Sequence, residues 1–239
     1  MKAAAASAAA GRHAGLDTLR GIAIAAMVAY HFGFDLQYFK LIDADPYESP
    51  WWIAARTCIL SSFLFLSGFS FVLAQDRQRA PGAFWRRWLQ LAGCALLVSA
   101  GSCAMFPRSF IYFGVLHAIA VMWLLSLLYR PAGISGISSV ILALLAPYFI
   151  QHPVFDSRWL NWTGLVTHKP VTEDYVPLLP WIGMFWLGML AYRAAALRGH
   201  ILSFASFAPL AKAGQWPLTI YMLHQPLLIG ALMLATGRS

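Results

Sequence analysis

Residues 16–39 read LDTLRGIAIAAMVAYHFGFDLQYF, and their reading decides the fold class. From residue 19 onward the segment is long and apolar enough to cross a hydrocarbon core of ~30 Å as a helix, which takes about 20 residues. Comparable apolar runs of about 17–25 residues recur along the chain. They are too long and too continuous for barrel strands, which alternate over about ten residues. Backbone groups in lipid must be satisfied within the segment or within a closed barrel, so helices remain. The chain is predicted to be all-α, a polytopic transmembrane helix bundle of about seven spans with a cytoplasmic N-terminus. The spans are expected near 19–39, 52–74, 88–106, 110–129, 134–150, 177–195 and 215–235. A disordered, Ala-rich tail is expected at 1–15, followed by a single transmembrane domain at 16–236.

Composition supports the same class. Hydrophobic residues make up 60% of the 239 and charged residues 11%, against about half and about a quarter in soluble domains. The formal net charge of +8 does not indicate a nucleic-acid partner, because the bases lie between apolar spans and not on one soluble surface. They follow topology instead. With the N-terminus inside, Lys2, Arg12, Arg20, Arg77, Arg79, Arg86, Arg87, Arg130, Arg193, Arg198 and Lys212 fall on the inner face. Lys40, Arg56, Arg108, Arg158, Lys169 and Arg238 fall on the outer face, a split of 11 to 6 among the 17 Lys and Arg. That is the cytoplasmic excess of bases that sets orientation in membrane proteins. Cys58, Cys94 and Cys103 lie in apolar segments without metal-ligand spacing and read as packing residues, so no metal site is predicted.

Ionisable side chains within spans are costly, at least ~2.5 kcal/mol each on insertion scales, and therefore mark functional positions. Arg20 and His31 are eleven positions apart, which at 100° per residue leaves them within about 20° on a helix and roughly 16 Å apart along its axis. Asp35 follows His31 at i+4 and shares its face. One stripe thus carries Asp17 and Arg20 at the inner end and His31 and Asp35 toward the outer end. His117 in FGVLH and His224 in YMLHQP add two more intramembrane histidines. A lone histidine of this kind can simply bond a neighbouring helix, but three favour a shared polar cavity. Arg56, at an outer helix end, is an anchor or an anion ligand, and Asp174, just before PLLPW, is expected to face the outer cavity. The connection 151–176, with Trp159 and Trp162, is long enough to be functional or disordered. Gly68, Gly183 and Gly188 read as close helix-packing positions, and 197–213 reads as an interfacial helix or loop.

Taken together, LDTLRGIAIAAMVAYHFGFDL, FLFLSGFSFVL, FGVLH, DYVPLLPWIG and IYMLHQPLL resemble the heparan-alpha-glucosaminide N-acetyltransferase catalytic-domain family, multispan membrane acyltransferases. The resemblance runs from about Leu16 to Ile229. It implies transfer of an acetyl or other acyl group from cytoplasmic acyl-CoA to a sugar-type or cell-envelope acceptor on the other side. Under it, His31 and Asp35 are the expected catalytic pair, with His117 as a second acid/base or oxyanion donor. Asp17, Arg20, Arg56, Asp174, His224 and Gln225 are the expected binding residues, with Arg20 meeting a CoA phosphate. One departure stands out: the lysosomal family member has its proposed catalytic His in the loop after the first span, and residues 40–52 here contain none. The competing expectation is a small permease or carrier whose polar stripe lines a transport route. Such a protein needs a polar path and no CoA-binding end.

Overall fold

A helix closes its own hydrogen bonds segment by segment, and the computed structural model of the chain is built on that economy. It describes residues 13–43, 45–46, 48–77, 82–198 and 206–237. Over these residues the helices are α1 (Ala14–Tyr38), α2 (Pro50–Asp76), α3 (Ala83–Met105), α4 (Val115–Leu128), α5 (Gly133–Phe149), α6 (Leu178–Leu197), α7 (Ala208–Ala213) and α8 (Pro217–Thr236). Two 3-10 turns, Pro153–Asp156 and Asn161–Thr163, lie between α5 and α6. The fold is all-α and that of a polytopic membrane protein. Five helices (α1, α2, α3, α6 and α8) are long and apolar enough to cross a membrane. α4 and α5 have 14 and 17 residues, about 21 and 26 Å of rise, short of a ~30 Å core.

Three boundaries differ from expectation for identifiable reasons. α1 begins at Ala14, inside the expected tail, because Thr18 Oγ1 bonds the Ala14 carbonyl and Asp17 sits in the first turn, where the helix dipole favours an acid. The rest of that tail, residues 1–12, lies outside the described residues, as do 199–205 of the expected inner stretch. α3 begins at Ala83, five residues early, with Arg86 and Arg87 exposed near its start, where long basic side chains suit a membrane interface. α4 begins at Val115, five residues late. Residues just before it are extended, with Phe113 in a bridge to Tyr175, and the Asp174 carboxylate accepts the Val115 N–H at 2.9 Å.

The chain falls into two compact units, Met1–Ile59 with Gly199–Ser239, and Leu60–Arg198. In the first, α1 packs against α7 and α8. The crossing with α7 is at backbone contact: a Cβ on Gly21 would overlap the Leu210 carbonyl, and one on Gly214 the Asp17 carbonyl. Tyr30 on α1 stacks edge-on against Trp52, ring centroids 5.1 Å apart.

In the second unit, α6 packs on α5 and α4, and α3 on α4. The expected small-residue packing is present: Cβ atoms on Gly68 and Gly188 would overlap the Phe185 and Phe65 carbonyls. Phe185, fully buried, meets Phe71 in an aromatic cluster with Phe84 and Trp123. α3 buries Leu91 and Ala95 while exposing Leu89, Leu96 and Leu97. In water each such side chain would forfeit about 1.5–3 kcal/mol of burial, so this is a face made for lipid. The long connection 151–176 is ordered by side chains. Asp156 accepts from the Thr167 amide at 2.7 Å and its hydroxyl at 2.6 Å. Buried Asn161 donates to the Tyr112 hydroxyl at 2.7 Å and accepts the Tyr175 hydroxyl at 2.6 Å.

Candidate active site

α1 is continuous for 25 residues, so the stripe read from sequence is one face of one helix. It is also the buried face, since Asp17, Gly21, Ile24, Met27 and Asp35 are all buried. Toward its C-terminal end this face meets α8. Gln225 Nε2 donates to Asp35 Oδ1 at 2.7 Å, and the His31 and His224 rings lie 4.9 Å apart, tilted by 59°. Four residues expected to act together are thereby gathered from two helices. Asp35 is 3% exposed and His224 9%.

The arrangement leaves reactive atoms unengaged. His224 Nδ1 lies 2.7 Å from the Tyr221 carbonyl, so that nitrogen carries the proton. Nε2 then holds a lone pair, and it is buried without a hydrogen-bond partner. Asp35 Oδ2 and Gln225 Oε1 are likewise buried and unpartnered. Buried polar atoms are nearly always bonded, and three exceptions fall within this one cluster. Local sequence explains the fixed tautomer: Tyr221 lies three residues before His224 in the same helix, which brings its carbonyl within reach of Nδ1.

His117 sits in a different environment, in the second unit. The Gly114 N–H donates to its Nδ1 at 3.2 Å, which makes Nε2 the protonated nitrogen, and Nε2 faces Ser99 Oγ at 3.1 Å. The Ser99 hydroxyl in turn donates to the Ile111 carbonyl at 2.6 Å. Both ring nitrogens are engaged, in the tautomer opposite to that of His224. Ser99 was not anticipated from the sequence, since one serine in an apolar span carries no signal of its own.

The remaining predicted residues are placed as follows. Asp17 is buried and pairs with Arg20 at 2.7 Å on the first turns of α1. Arg20 is thus oriented by a neighbouring carboxylate. Arg56 is exposed on α2. Asp174 caps α4, the helix that carries His117. Among the described residues no group of three or more His, Cys, Asp or Glu could hold a metal ion.

Comparison with protein families matches residues 12–226 to "Heparan-alpha-glucosaminide N-acetyltransferase, catalytic". The chain belongs to the heparan-alpha-glucosaminide N-acetyltransferase catalytic family. No curated protein and no solved structure matches it. The match takes in α1 to α7 and the part of α8 that holds His224 and Gln225, so the whole cluster on α1 and α8 lies within it. Membership in this acetyltransferase family makes the chain a membrane transferase of acetyltransferase type.

Proposed function

We propose that this family member moves an acetyl or other acyl group from cytoplasmic acyl-CoA to a sugar-type acceptor at the outer side of a bacterial plasma membrane. The observation that carries the reading is the buried, unpartnered Nε2 of His224, beside His31 and the Asp35–Gln225 pair, in a chain of this family. A neutral imidazole whose other nitrogen is held by a carbonyl is a general base in waiting, and such groups contribute about 10²–10⁴-fold in rate. The acceptor amine or hydroxyl attacks the thioester carbonyl and gives its proton to His224 Nε2. The carbon–sulfur bond breaks and CoA leaves as thiolate, which takes up that proton. Asp35 stabilises the imidazolium formed in between, and His31 borders the pair and orients the acceptor.

Sidedness rests on the distribution of Lys and Arg, which puts the start of α1 in the cytoplasm. At that end Arg20, oriented by Asp17, makes a charge-assisted bond to a CoA phosphate. Arg56 contributes positive charge near the acceptor. His117 and Asp174 are positioning residues that hold α4 and the segment before it, and the catalytic weight assigned to His117 from sequence moves to His224.

The test is acyl-CoA binding and acyl transfer to a panel of amino sugars and hydroxyl acceptors by the purified protein in lipid nanodiscs. Transfer by the wild type is expected, with H224A reduced about 10²–10⁴-fold in kcat and H117A within about fivefold of wild type. Arg20→Gln is expected to raise KM for acyl-CoA by about tenfold or more, the equivalent of one charge-assisted bond. A folded wild type that binds no acyl-CoA would overturn the reading. Full transfer by H224A with loss in H117A would move the base to His117.

A further inference from the structure

The ordered connection between α5 and α6 builds a second feature, separate from the histidine cluster in its residues and chemistry. Tyr112, Phe113, Arg158, Trp159 and Trp162 line a cavity of about 490 Å³, within the range of small-molecule sites. Its walls are aromatic and its one charge is a guanidinium. Arg158 lies over the Phe110 and Tyr112 rings, 4.6 and 5.0 Å from their centroids, and among the described residues no carboxylate pairs with it. Exposed arginine normally extends into water. Here two rings hold the guanidinium in place by cation–π attraction while its N–H edges stay available.

The walls are held from behind. Trp162 Nε1 donates to the Trp159 carbonyl at 2.8 Å, and the Trp162 ring packs on Phe113 at 5.8 Å. The Tyr112 hydroxyl is fixed by Asn161, which is 2% exposed and itself bonded to Tyr175. The Asn161 Oδ1 atom is buried and unpartnered, a second polar position without a partner under the same wall. Trp159, by contrast, is 87% exposed, so that wall of the cavity is open to the surroundings.

We propose that this cavity is a binding site for a pyranoside bearing an anionic group. A pyranose presents an apolar face of C–H groups to an indole ring and its hydroxyls at the edge, while a carboxylate or phosphate on it would meet the Arg158 fork in a charge-assisted, bidentate bond. A purely apolar ligand would leave the guanidinium unused, and a cationic one would be repelled by it. The same chemistry is offered by a free anionic sugar and by a sugar phosphate linked to a lipid. The site concerns binding alone and stands whether or not the chain transfers an acyl group.

The test uses the full chain in phosphatidylcholine nanodiscs, avoiding glycoside detergents that would compete. Methyl glucuronide, glucose 1-phosphate, methyl glucoside and inorganic phosphate are titrated by calorimetry. Saturation-transfer NMR then reports which sugar protons contact aromatic rings, and a further arm carries glucose on a polyprenyl phosphate in the disc. Expected is saturable binding of one or both soluble anionic sugars, or of the lipid-linked one, with methyl glucoside at least about tenfold weaker, the worth of one charge-assisted bond. Arg158→Gln should reduce the anionic sugars to the level of methyl glucoside. Trp162→Leu should weaken charged and neutral sugars alike, and Trp162→Phe should recover most of that loss, which a mere folding defect would not. Absence of binding to every sugar by folded wild-type protein overturns the proposal. So does binding that R158Q and W162L leave unchanged, or an equal response to inorganic phosphate or to phosphatidylglycerol added to the disc.

Discussion

Removal of the Gln225 amide tests the cluster most directly. Gln225 Nε2 donates at 2.7 Å to Asp35 Oδ1, on a carboxylate that is 3% exposed and whose other oxygen has no partner. Gln225→Leu, nearly isosteric, leaves that carboxyl with no bond on either oxygen. A hydrogen bond to a charged group is worth about 1.5–3 kcal/mol net, and stranding a buried polar group costs about 1–3 kcal/mol. We expect Q225L to destabilise the protein by about 2 kcal/mol and Asp35→Ala by somewhat less, because the latter strands a neutral amide. The double variant should be less destabilised than the sum of the two. Interhelical hydrogen bonds in membranes average about 0.6 kcal/mol in such cycles and reach about 1.7, since the unfolded reference finds other partners in the bilayer. The burial and short distance place this pair near the upper end, at about 1–1.5 kcal/mol of coupling. Equilibrium unfolding in bicelles by steric trapping measures all four corners of the cycle. Additivity within about 0.3 kcal/mol would refute the pairing of α1 with α8 through these side chains, and with it the geometry of the proposed site.

Three further outcomes follow from other parts of the chain. Ser99→Ala removes the acceptor of the His117 Nε2–H and the hydroxyl that caps the Ile111 carbonyl, so thermal stability should drop by about 1–3 kcal/mol while kcat changes little. A large fall in kcat with unchanged stability would give His117 a chemical role. Gly188→Leu drives a side chain into the Phe65 backbone; a loss of about 3 kcal/mol or more, read as loss of monodisperse protein on size exclusion, is expected from overpacking. Asp156 is held below the usual carboxylate range, chiefly by the Thr167 hydroxyl and then by the Thr167 and His168 amides. A depressed carboxyl stabilises the fold above its unfolded value and loses that contribution as pH falls through the folded one. Protection of the Thr167 and His168 amides from hydrogen exchange, relative to the intrinsic rate at each pH, should therefore fall in acid below the ordinary carboxylate range, and Asp156→Asn should remove that change in protection.

Helix class and the approximate place of each apolar helix were legible in the sequence because lipid acts on each segment separately. A span must bond its own backbone and present apolar side chains whatever its neighbours are, so a local property suffices. The candidate residues were legible for the same reason, since a His or Asp in an apolar run stands out against its cost. Their partnership was not. Asp35 and Gln225 are 190 positions apart, and nothing in either segment says that α1 and α8 share a face there. Nor does a sequence state which nitrogen of a histidine carries its proton. That is decided by the Tyr221 carbonyl for His224 and by the Gly114 amide and Ser99 for His117, and it is why His224 is proposed as the base. Asp174, expected to face the outer cavity, accepts the Val115 N–H at the late start of α4, a bond between segments 59 positions apart that no local pattern announces. The sequence by itself determined an all-helical membrane chain with a polar stripe on its first span. Tertiary packing alone decided which polar atoms are satisfied and which are left buried without a partner, because hydrogen bonding depends on distances between helices that no single helix encodes.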